Sequence, residues 1–208
     1  MATMEIAPGL QRWTAPHPDW NPQAATGSSG DWDQNVGSVL YEAPDAVALI
    51  DPLLPSRDRA EFLDWLDARI AGRPVSILTT IRWHRRDREE LADRYSSTGG
   101  RAWNALPRGV EQRPLRGAGE MMFWLPAVAT LVPGDRLIGV HGRLELCPES
   151  WLEDVRVNRH GLAELLRPLV ELPVEHVLVS HGEPVLGHGR AALVRAIGEV
   201  LDRAPELP

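Results

Sequence analysis

The chain has 208 residues and a formal net charge of −7 at pH 7; 43% of its residues are hydrophobic and 25% are charged. This length suffices for one sizeable core or two small ones, and the composition is ordinary for a soluble globular protein. The acidic balance argues against a nucleic-acid binder dominated by phosphate contacts. All 22 basic residues are arginine, which excludes Schiff-base and other lysine-nucleophile chemistry.

Cysteine content and hydropathy indicate where in the cell the protein is expected. Cys147 is the single cysteine of the sequence, so no internal disulfide or thiolate cluster can form, and a buried inert thiol is the usual state of such a residue. The segment Met1–Ile6 has neither a positive n-region nor an apolar h-region. No apolar run approaches the roughly 20 residues that span a bilayer. We therefore expect a cytoplasmic protein without membrane contact.

The first part of the chain predicts strands around one long loop. Met4–Thr14 is typical of a strand interrupted by a Pro-Gly pair. The stretch Ala15–Asn35 is rich in Pro, Gly, Ser and Asp and predicts a long surface loop. Val36–Glu42 and Ala46–Ile50 predict a hairpin, because the intervening Pro-Asp favours a turn between two β-rich runs.

Helical spacing of apolar residues then predicts an amphipathic helix, which is followed by a short buried strand and a charged helix whose arginines 85, 86 and 88 form a solvated face. The predicted elements from here onward are a helix at Arg57–Ala71, a strand at Val75–Thr79, a helix at Arg85–Tyr95, short strands at Arg101–Trp103, Gln112–Leu115, Met121–Leu125, Thr130–Val132 and Arg136–Val140, a helix at Leu162–Val170, a strand at Val174–Val179 and a helix at Gly189–Leu201. No interruption marks a boundary, so residues 1–208 are expected to form a single domain.

Polar residues follow three of the predicted strands. The three segments read Ser76-Ile-Leu-Thr-Thr-Ile-Arg-Trp-His84, Leu131-Val-Pro-Gly-Asp135 and Leu178-Val-Ser-His-Gly-Glu-Pro184. Enzymes with strands and helices often assemble sites from such separate strand ends. The order resembles that of the metallo-β-lactamase-fold hydrolases, in which these ends hold one or two zinc ions. The resemblance runs from about Ile6 to Leu201 and implies an α+β fold, a four-layer αββα sandwich.

Some ligand-type residues of that family are kept. Gly134-Asp135 matches a Gly-Asp pair whose carboxylate bridges two metals in the family, and His181-Gly182 matches the family's final His-Gly. Asp51 matches the structural aspartate at the end of the second hairpin strand. The resemblance therefore keeps Asp135 and His181 outright as ligand candidates.

The family's Thr-His-x-His-x-Asp-His motif, in contrast, is broken. With the threonine that ends the predicted strand as anchor, Thr80 and Arg82 stand at the first two histidines, His84 at the aspartate and Arg85 at the last histidine. In the family's Gly-His-Thr-Pro-Gly turn, Arg116 takes the place of the histidine. A guanidinium stays protonated and has no acceptor, so it cannot coordinate a metal. The resemblance thus implies a degenerate metal-binding motif.

We expect one pocket at these strand ends, lined by His84, Asp135, His181, Arg82, Arg85, Arg116 and His141. Its candidate metal ligands are Asp135, His181 and His84, and zinc is the expected ion if one binds. At least one of the arginines should lie close to Asp135, because a carboxylate left without its metal needs a counter-charge. Arginines at this mouth could also bind a small anionic ligand through paired hydrogen bonds.

Three functions remain open from the sequence. The first is a pseudoenzyme that has lost most zinc ligands, lacks dinuclear catalysis and binds a small anionic ligand. The second is a divergent mononuclear metal-dependent hydrolase that uses His84, Asp135 and His181. The third is a non-catalytic structural or interaction domain. The expected cofactor is accordingly none or one divalent ion, and nothing in the sequence identifies a substrate.

Overall fold

The computed structural model of the protein describes residues 3–96 and 105–202. Its strands are β1 (Thr3–Ala7), β2 (Leu10–Pro16), β3 (Asn35–Glu42), β4 (Val47–Ile50), β5 (Val75–Leu78), β6 (Glu111–Leu115), β7 (Glu120–Leu125), β8 (Thr130–Val132), β9 (Leu137–Val140), β10 (Arg143–Leu146) and β11 (His176–Val177). Its α-helices are α1 (Arg59–Ile70), α2 (Arg88–Tyr95), α3 (Arg159–Leu166) and α4 (Gly189–Leu201). Within these ranges, no helix combines the length and apolarity needed to cross a membrane.

Two sheets carry most of the strands. The first has the order β1-β2-β3-β4-β5 and is antiparallel apart from the parallel pair β4–β5, whose crossover is α1. The second has the order β11-β8-β7-β6, and β9 and β10 form a separate hairpin. Strand β4 reads Val-Ala-Leu-Ile and is buried along its whole length, as expected for a strand that is covered on both faces.

Apolar clusters fill the spaces between four layers of secondary structure. The central cluster lies between the sheets, where Leu10, Val39 and Ile50 of the first sheet share a core with Phe123 and Val132 of the second. A second cluster packs α1 and α2 against the outer face of the first sheet, and a third packs α3 and α4 against the second sheet. The predicted α+β class and the four-layer αββα sandwich are therefore confirmed.

Most predicted elements are confirmed to within a few residues, but the strand predicted over Val174–Val179 is wrong in extent. It is a strand only at His176–Val177, because the carbonyls of Val174 and Glu175 accept hydrogen bonds from the start of α4 instead of from a neighbouring strand. Strand β10 is not predicted from the sequence at all. The candidate strand Arg101–Trp103 lies outside the described residues.

Two predicted boundaries also move. The helix predicted from Arg85 begins at Arg88, since residues 82–87 form turns. The long N-terminal loop covers residues 17–34 rather than 15–35, because its ends extend β2 and β3 in register. Both boundaries matter for the site, which is built from the turns at 82–87 and from the wall that the N-terminal loop provides.

Arg86 connects the two sheets at the end where the polar strand ends meet. It lies in the turns between β5 and α2 with a φ of 42°. Its guanidinium donates to the carbonyl of Gly37 at 2.8 Å, to the carbonyl of Asp51 at 2.7 Å and to Ser180 Oγ at 2.6 Å. Gly37 belongs to β3, Asp51 follows β4, and Ser180 follows β11. One half-buried cation thus holds three chain segments from both sheets together.

Replacing Arg86 with Ala should lower the free energy of unfolding by about 3 kcal/mol or more, because three buried acceptors lose a charged donor. Arg85→Ala is the matched control, since the Arg85 side chain is 64% exposed and its one ion pair among the described residues is with Glu89, four residues on. That control should change stability by less than about 1 kcal/mol. Urea unfolding of the two variants measures the difference, and equal losses would contradict the connecting role of Arg86.

Candidate metal centre

Three polar side chains from separate strand ends meet at one point. His84 lies in the turns after β5, Asp135 in the turn after β8, and His181 in the segment after β11. Each offers one ligand-type atom, and these atoms all lie within 4.8 Å of one another. Within residues 3–96 and 105–202, this is the one group of three or more such side chains with that spacing.

Asp135 Oδ1 is the centre of this group. It lies 2.9 Å from Nε2 of His84 and 3.2 Å from Nε2 of His181. It is nevertheless a buried oxygen without a hydrogen bond of acceptable geometry to any described residue. Two imidazole nitrogens that converge on one buried carboxylate oxygen have the arrangement expected of ligands aimed at a common ion. The residues present therefore fit a divalent metal.

Asp51 fixes the orientation of His84. Its Oδ2 lies 2.9 Å from Nδ1 of His84, and its Oδ1 accepts the backbone N–H of Thr80 at 2.8 Å. The Thr80 hydroxyl donates to the same carboxylate. Asp51 holds this position with a φ of 49°, a conformation that strains a non-glycine residue. A carboxylate behind a ligating histidine sets the ring orientation and directs Nε2 toward the metal position.

The carboxylates on either side of His84 determine its charge. Burial lowers the pKa of His84, but Asp135 and Asp51 raise it more, so that it reaches about 9. Burial likewise raises the pKa of Asp135, yet the imidazoles of His84 and His181 lower it more strongly, to well below its usual range. Without a metal, the site is therefore an imidazolium held between two aspartates.

Trp83 engages the other oxygen of Asp135. Its indole N–H donates to Asp135 Oδ2 at 2.5 Å. Arg82 stacks on the Trp83 ring at 5.3 Å, and Arg136 lies 5.8 Å from the same ring. Arg136 is fully buried and donates to the carbonyls of Ala118 and Trp151. The two oxygens of Asp135 thus have separate surroundings, since Oδ2 is bonded to the indole and Oδ1 faces the imidazoles.

Glu120 supports the turn that carries Asp135. Its carboxylate accepts backbone N–H groups from Gly134 at 3.0 Å, Asp135 at 2.7 Å and Arg136 at 2.9 Å. A Cβ at Gly134 would lie 2.6 Å from Thr80 Oγ1, so only glycine allows this close approach. Burial, and then the charge of Asp135, raise the pKa of Glu120 to about 7. The Pro-Gly-Asp turn is therefore fixed in place by Glu120 and so positions Asp135.

His181 is fixed by its neighbours in sequence and space. Gly182 has a φ of 81°, and a Cβ there would lie 1.8 Å from the carbonyl oxygen of Gly139, so the His-Gly pair requires glycine. The His181 ring contacts Trp151 at 5.0 Å and Trp32 at 5.5 Å, both edge to face. Two indoles thus restrict the imidazole while its Nε2 faces Asp135.

These ligand-type residues lie in a cavity of about 430 Å³. Its lining consists of His17, Asp19, Ser29, Trp32, Val36, Arg82, Trp83, His84, Arg86, Asp135, Ser150, Trp151, Glu153, Asp154 and His181. Residues 17–34, the N-terminal loop, supply the wall that includes His17 and Trp32. Burial lowers the pKa of His17, and the charge of Arg86 lowers it further.

The structure separates the pocket residues that the sequence groups together. His84, Asp135 and His181 meet, and Arg82 lines the same cavity but pairs with Asp154 at 3.3 Å. Arg85 and Arg116 line a different groove. His141 is exposed in the turn between β9 and β10.

Among the described residues, none of Arg82, Arg85 and Arg116 has an ion pair with Asp135. The physical reason is local, because two imidazoles and an indole N–H already surround the carboxylate. His84, and not an arginine, supplies the counter-charge of Asp135.

Several contributors to the site are missed from the sequence. Arg86 is assigned there to a solvated helix face, but it is half-buried and bonded to three segments. Trp83, Glu120 and His17 carry no motif that identifies them. The one usable signal is that Trp83 and Arg86 flank the candidate ligand His84 in a segment without helical or strand periodicity.

Metal-free protein should lose stability as pH rises from about 6.5 to about 9. The folded-state pKa of His84 lies above its ordinary value of 6.5, so the imidazolium stabilises the fold fully below pH 6.5 and this contribution is lost through pH 9. Urea unfolding in the presence of chelator, at several pH values, measures the decline. His84→Gln should flatten the profile in this window, whereas an unchanged slope in that variant would assign the decline to another group.

Comparison with known proteins agrees with this geometry at the level of the fold. No protein-family model and no curated protein sequence matches the chain. Among solved structures, it is similar to a metallo-beta-lactamase family protein from Thermus thermophilus, with a TM-score of 0.55, 18% identity and coverage of 95% of this chain and 80% of that one. It is also similar to a metallo-beta-lactamase from Erythrobacter litoralis, with a TM-score of 0.59, 16% identity and coverage of 99% of this chain and 96% of that one. For the DIM-1 metallo-beta-lactamase the TM-score is 0.65, the identity is 11%, and 98% of each chain is covered. The chain therefore has the metallo-β-lactamase fold.

Proposed function

We propose that the protein is a hydrolase that uses one divalent metal ion, held by His84 Nε2, Asp135 Oδ1 and His181 Nε2. The observation that carries this proposal is the convergence of two imidazole nitrogens on the buried Oδ1 of Asp135, at 2.9 Å and 3.2 Å. The metallo-β-lactamase fold supports it, because the three residues stand at strand ends where that family holds zinc.

Zinc is the ion that this donor set favours. Two imidazole nitrogens and one carboxylate oxygen are typical of catalytic zinc, which takes three protein ligands and leaves a position open for water. The adjoining cavity of about 430 Å³ gives room for a small-molecule substrate. When bound there, such an ion would supply Lewis-acid activation of water for hydrolysis.

The residues around the ligands position them for that task. Asp51 holds His84 through Nδ1, so that Nε2 faces Asp135. Trp83 binds Oδ2 of Asp135 and leaves Oδ1 for the centre. Outer partners of this kind set ligand orientation and basicity. Trp32 and Trp151 flank His181, and their apolar rings would limit the access of bulk water to the reacting group.

A second metal has no comparable place beside the first. Thr80 stands where the family has its first motif histidine, and its hydroxyl is bonded to Asp51. Its carbonyl accepts the N–H of Met121 at 2.7 Å, and Ile81 forms a bridge with Glu120. Backbone pairing thus closes the motif segment onto β7. With Asp135 Oδ2 occupied by Trp83, this arrangement supports one metal per chain.

A metal-free pseudoenzyme is the second candidate, and one observation favours it. His84, with a pKa of about 9, neutralises Asp51 and Asp135 as an imidazolium. The site can therefore be electrostatically satisfied by a proton alone. Metal binding must displace this proton, so zinc affinity should rise with pH.

Zinc titration separates the two candidates. Wild-type protein should bind about one equivalent of zinc per chain, because the three proposed ligands form one site. His181→Ala should weaken affinity by at least about 100-fold, more than the loss of an outer-sphere partner does. Isothermal titration calorimetry with chelator-stripped protein, together with elemental analysis, gives both numbers. The zinc-loaded wild type, but not His181→Ala, should hydrolyse p-nitrophenyl esters.

Three results of that titration would count against the proposal. Wild-type protein without measurable zinc affinity would leave the imidazolium-held site as the functional state. A stoichiometry near two per chain would contradict the single-metal arrangement. Unchanged zinc affinity in His181→Ala would place the metal elsewhere.

Trp83→Phe should weaken zinc binding by about 10- to 100-fold while the fold is retained, because Asp135 loses the partner that orients it. Trp151→Phe is the matched control, since Trp151 lines the same cavity but its indole N–H has no hydrogen-bond partner among the described residues. Calorimetric zinc affinities of the two variants test this difference. Equal affinities would show that the Trp83 N–H does not position Asp135.

A further inference from the structure

A second concave site lies on the other side of the segment that carries His84. It is a groove of about 550 Å³, lined by Thr79, Thr80, Ile81, Arg82, Arg85, Arg88, Pro114, Leu115, Arg116, Gly117, Gly119, Glu120 and Met121. Arg82 is the residue it shares with the cavity of the candidate metal centre. The groove contains four arginines in a chain whose net charge is −7.

The positive charge of this groove is poorly compensated. Glu120 is the single carboxylate among the groove's lining residues, and it is buried and already accepts three backbone N–H groups. Arg116 is exposed and, among the described residues, has no hydrogen bond or ion pair. Four arginines therefore line a groove whose one lining carboxylate is committed to backbone N–H groups.

The existing partners of Arg82 and Arg85 are weak enough to exchange. Arg85 pairs with Glu89 at 3.4 Å, and both side chains are 64% exposed. The Arg82 side chain is 76% exposed and pairs with Asp154 at 3.3 Å. Exposed pairs of this kind contribute only about 0–1 kcal/mol. An incoming anion with several acceptor oxygens can therefore engage Arg82 and Arg85 at little cost, beside the exposed Arg116.

We propose that this groove binds a phosphoryl-bearing anion. Arginine forks match phosphate oxygens in pairs, and a group with two or more charges uses several guanidiniums at once. A monocarboxylate would satisfy one fork and leave the rest of the positive charge uncompensated.

The proposed groove is independent of the proposed metal. His84, Asp135 and His181 do not line it, so anion binding there needs no ion in the neighbouring cavity. Occupation of the groove would draw Arg82 away from Asp154 and from its stack on Trp83. Anion binding in the groove would therefore change the contacts of Arg82 in the neighbouring cavity, where Trp83 holds Asp135.

Pyrophosphate in magnesium-free buffer is the probe. At a concentration about 100-fold above its Kd, it should raise the Tm of wild-type protein by several degrees. The double variant Arg85→Gln/Arg116→Gln should weaken the affinity by on the order of tenfold per arginine. Both side chains are exposed, so the variant should keep its ligand-free Tm. Arg108→Gln/Arg143→Gln carries the same charge change on exposed arginines outside the groove and should bind as the wild type does.

His181→Ala separates the groove from the metal centre. Pyrophosphate binding that persists in His181→Ala and is lost in Arg85→Gln/Arg116→Gln supports the groove. Binding lost in His181→Ala and kept in the arginine variant would place the anion on the metal centre and overturn the proposal. Absence of a saturable shift at about 10 mM pyrophosphate, tenfold above a millimolar Kd, would also overturn it. Malonate binding as tightly as pyrophosphate would show that the phosphoryl assignment is wrong.

Discussion

The constraint on which this molecule depends is the placement of one imidazole between two buried carboxylates. Asp51 comes from the end of a strand in the first sheet and Asp135 from the end of a strand in the second, and His84 touches both at 2.9 Å. Two unpaired buried carboxylates would be prohibitively costly. A cation, whether a proton on His84 or a metal beside it, meets the need for counter-charge at the edge where the two sheets meet.

Much of the surrounding irregularity follows from that requirement. The turns at 82–87 bring His84 inward between β5 and α2, and Arg86 stands in the same turns with positive φ. Asp51 also has positive φ. Strained backbone persists only where its surroundings over-determine it, and here hydrogen bonds from Thr80 and Arg86 do so. These two strained residues therefore lie where the polar groups of both sheets converge.

The sequence predicts the sandwich well because its strands and helices have periodic apolar residues. Helix α4 is predicted with its observed bounds, and the β3–β4 hairpin follows from two β-rich runs broken by turn residues. The segment Met4–Thr14, predicted as one interrupted strand, forms the antiparallel pair of β1 and β2 instead. The turns at 82–87 defeat the same reasoning. Residues 82 to 87 are, in order, exposed, exposed, buried, exposed, half-buried and half-buried. This pattern has neither the period of a strand nor that of a helix. Arg86 and Trp83 therefore look like surface residues although tertiary contacts decide their positions.

The wall formed by the N-terminal loop has a consequence for how this protein can change over evolutionary time. His17 and Trp32 reach the cavity from residues 17–34, which join β2 to β3 and continue their pairing only through the hydrogen bond from His17 N–H to the Gln34 carbonyl. Insertions, deletions or exchanges in such a connection leave strand register intact. The shape of the cavity can thus diversify independently of His84, Asp135 and His181. Homologues with the same three residues but different loops would then form a series that accepts different molecules around one unchanged centre.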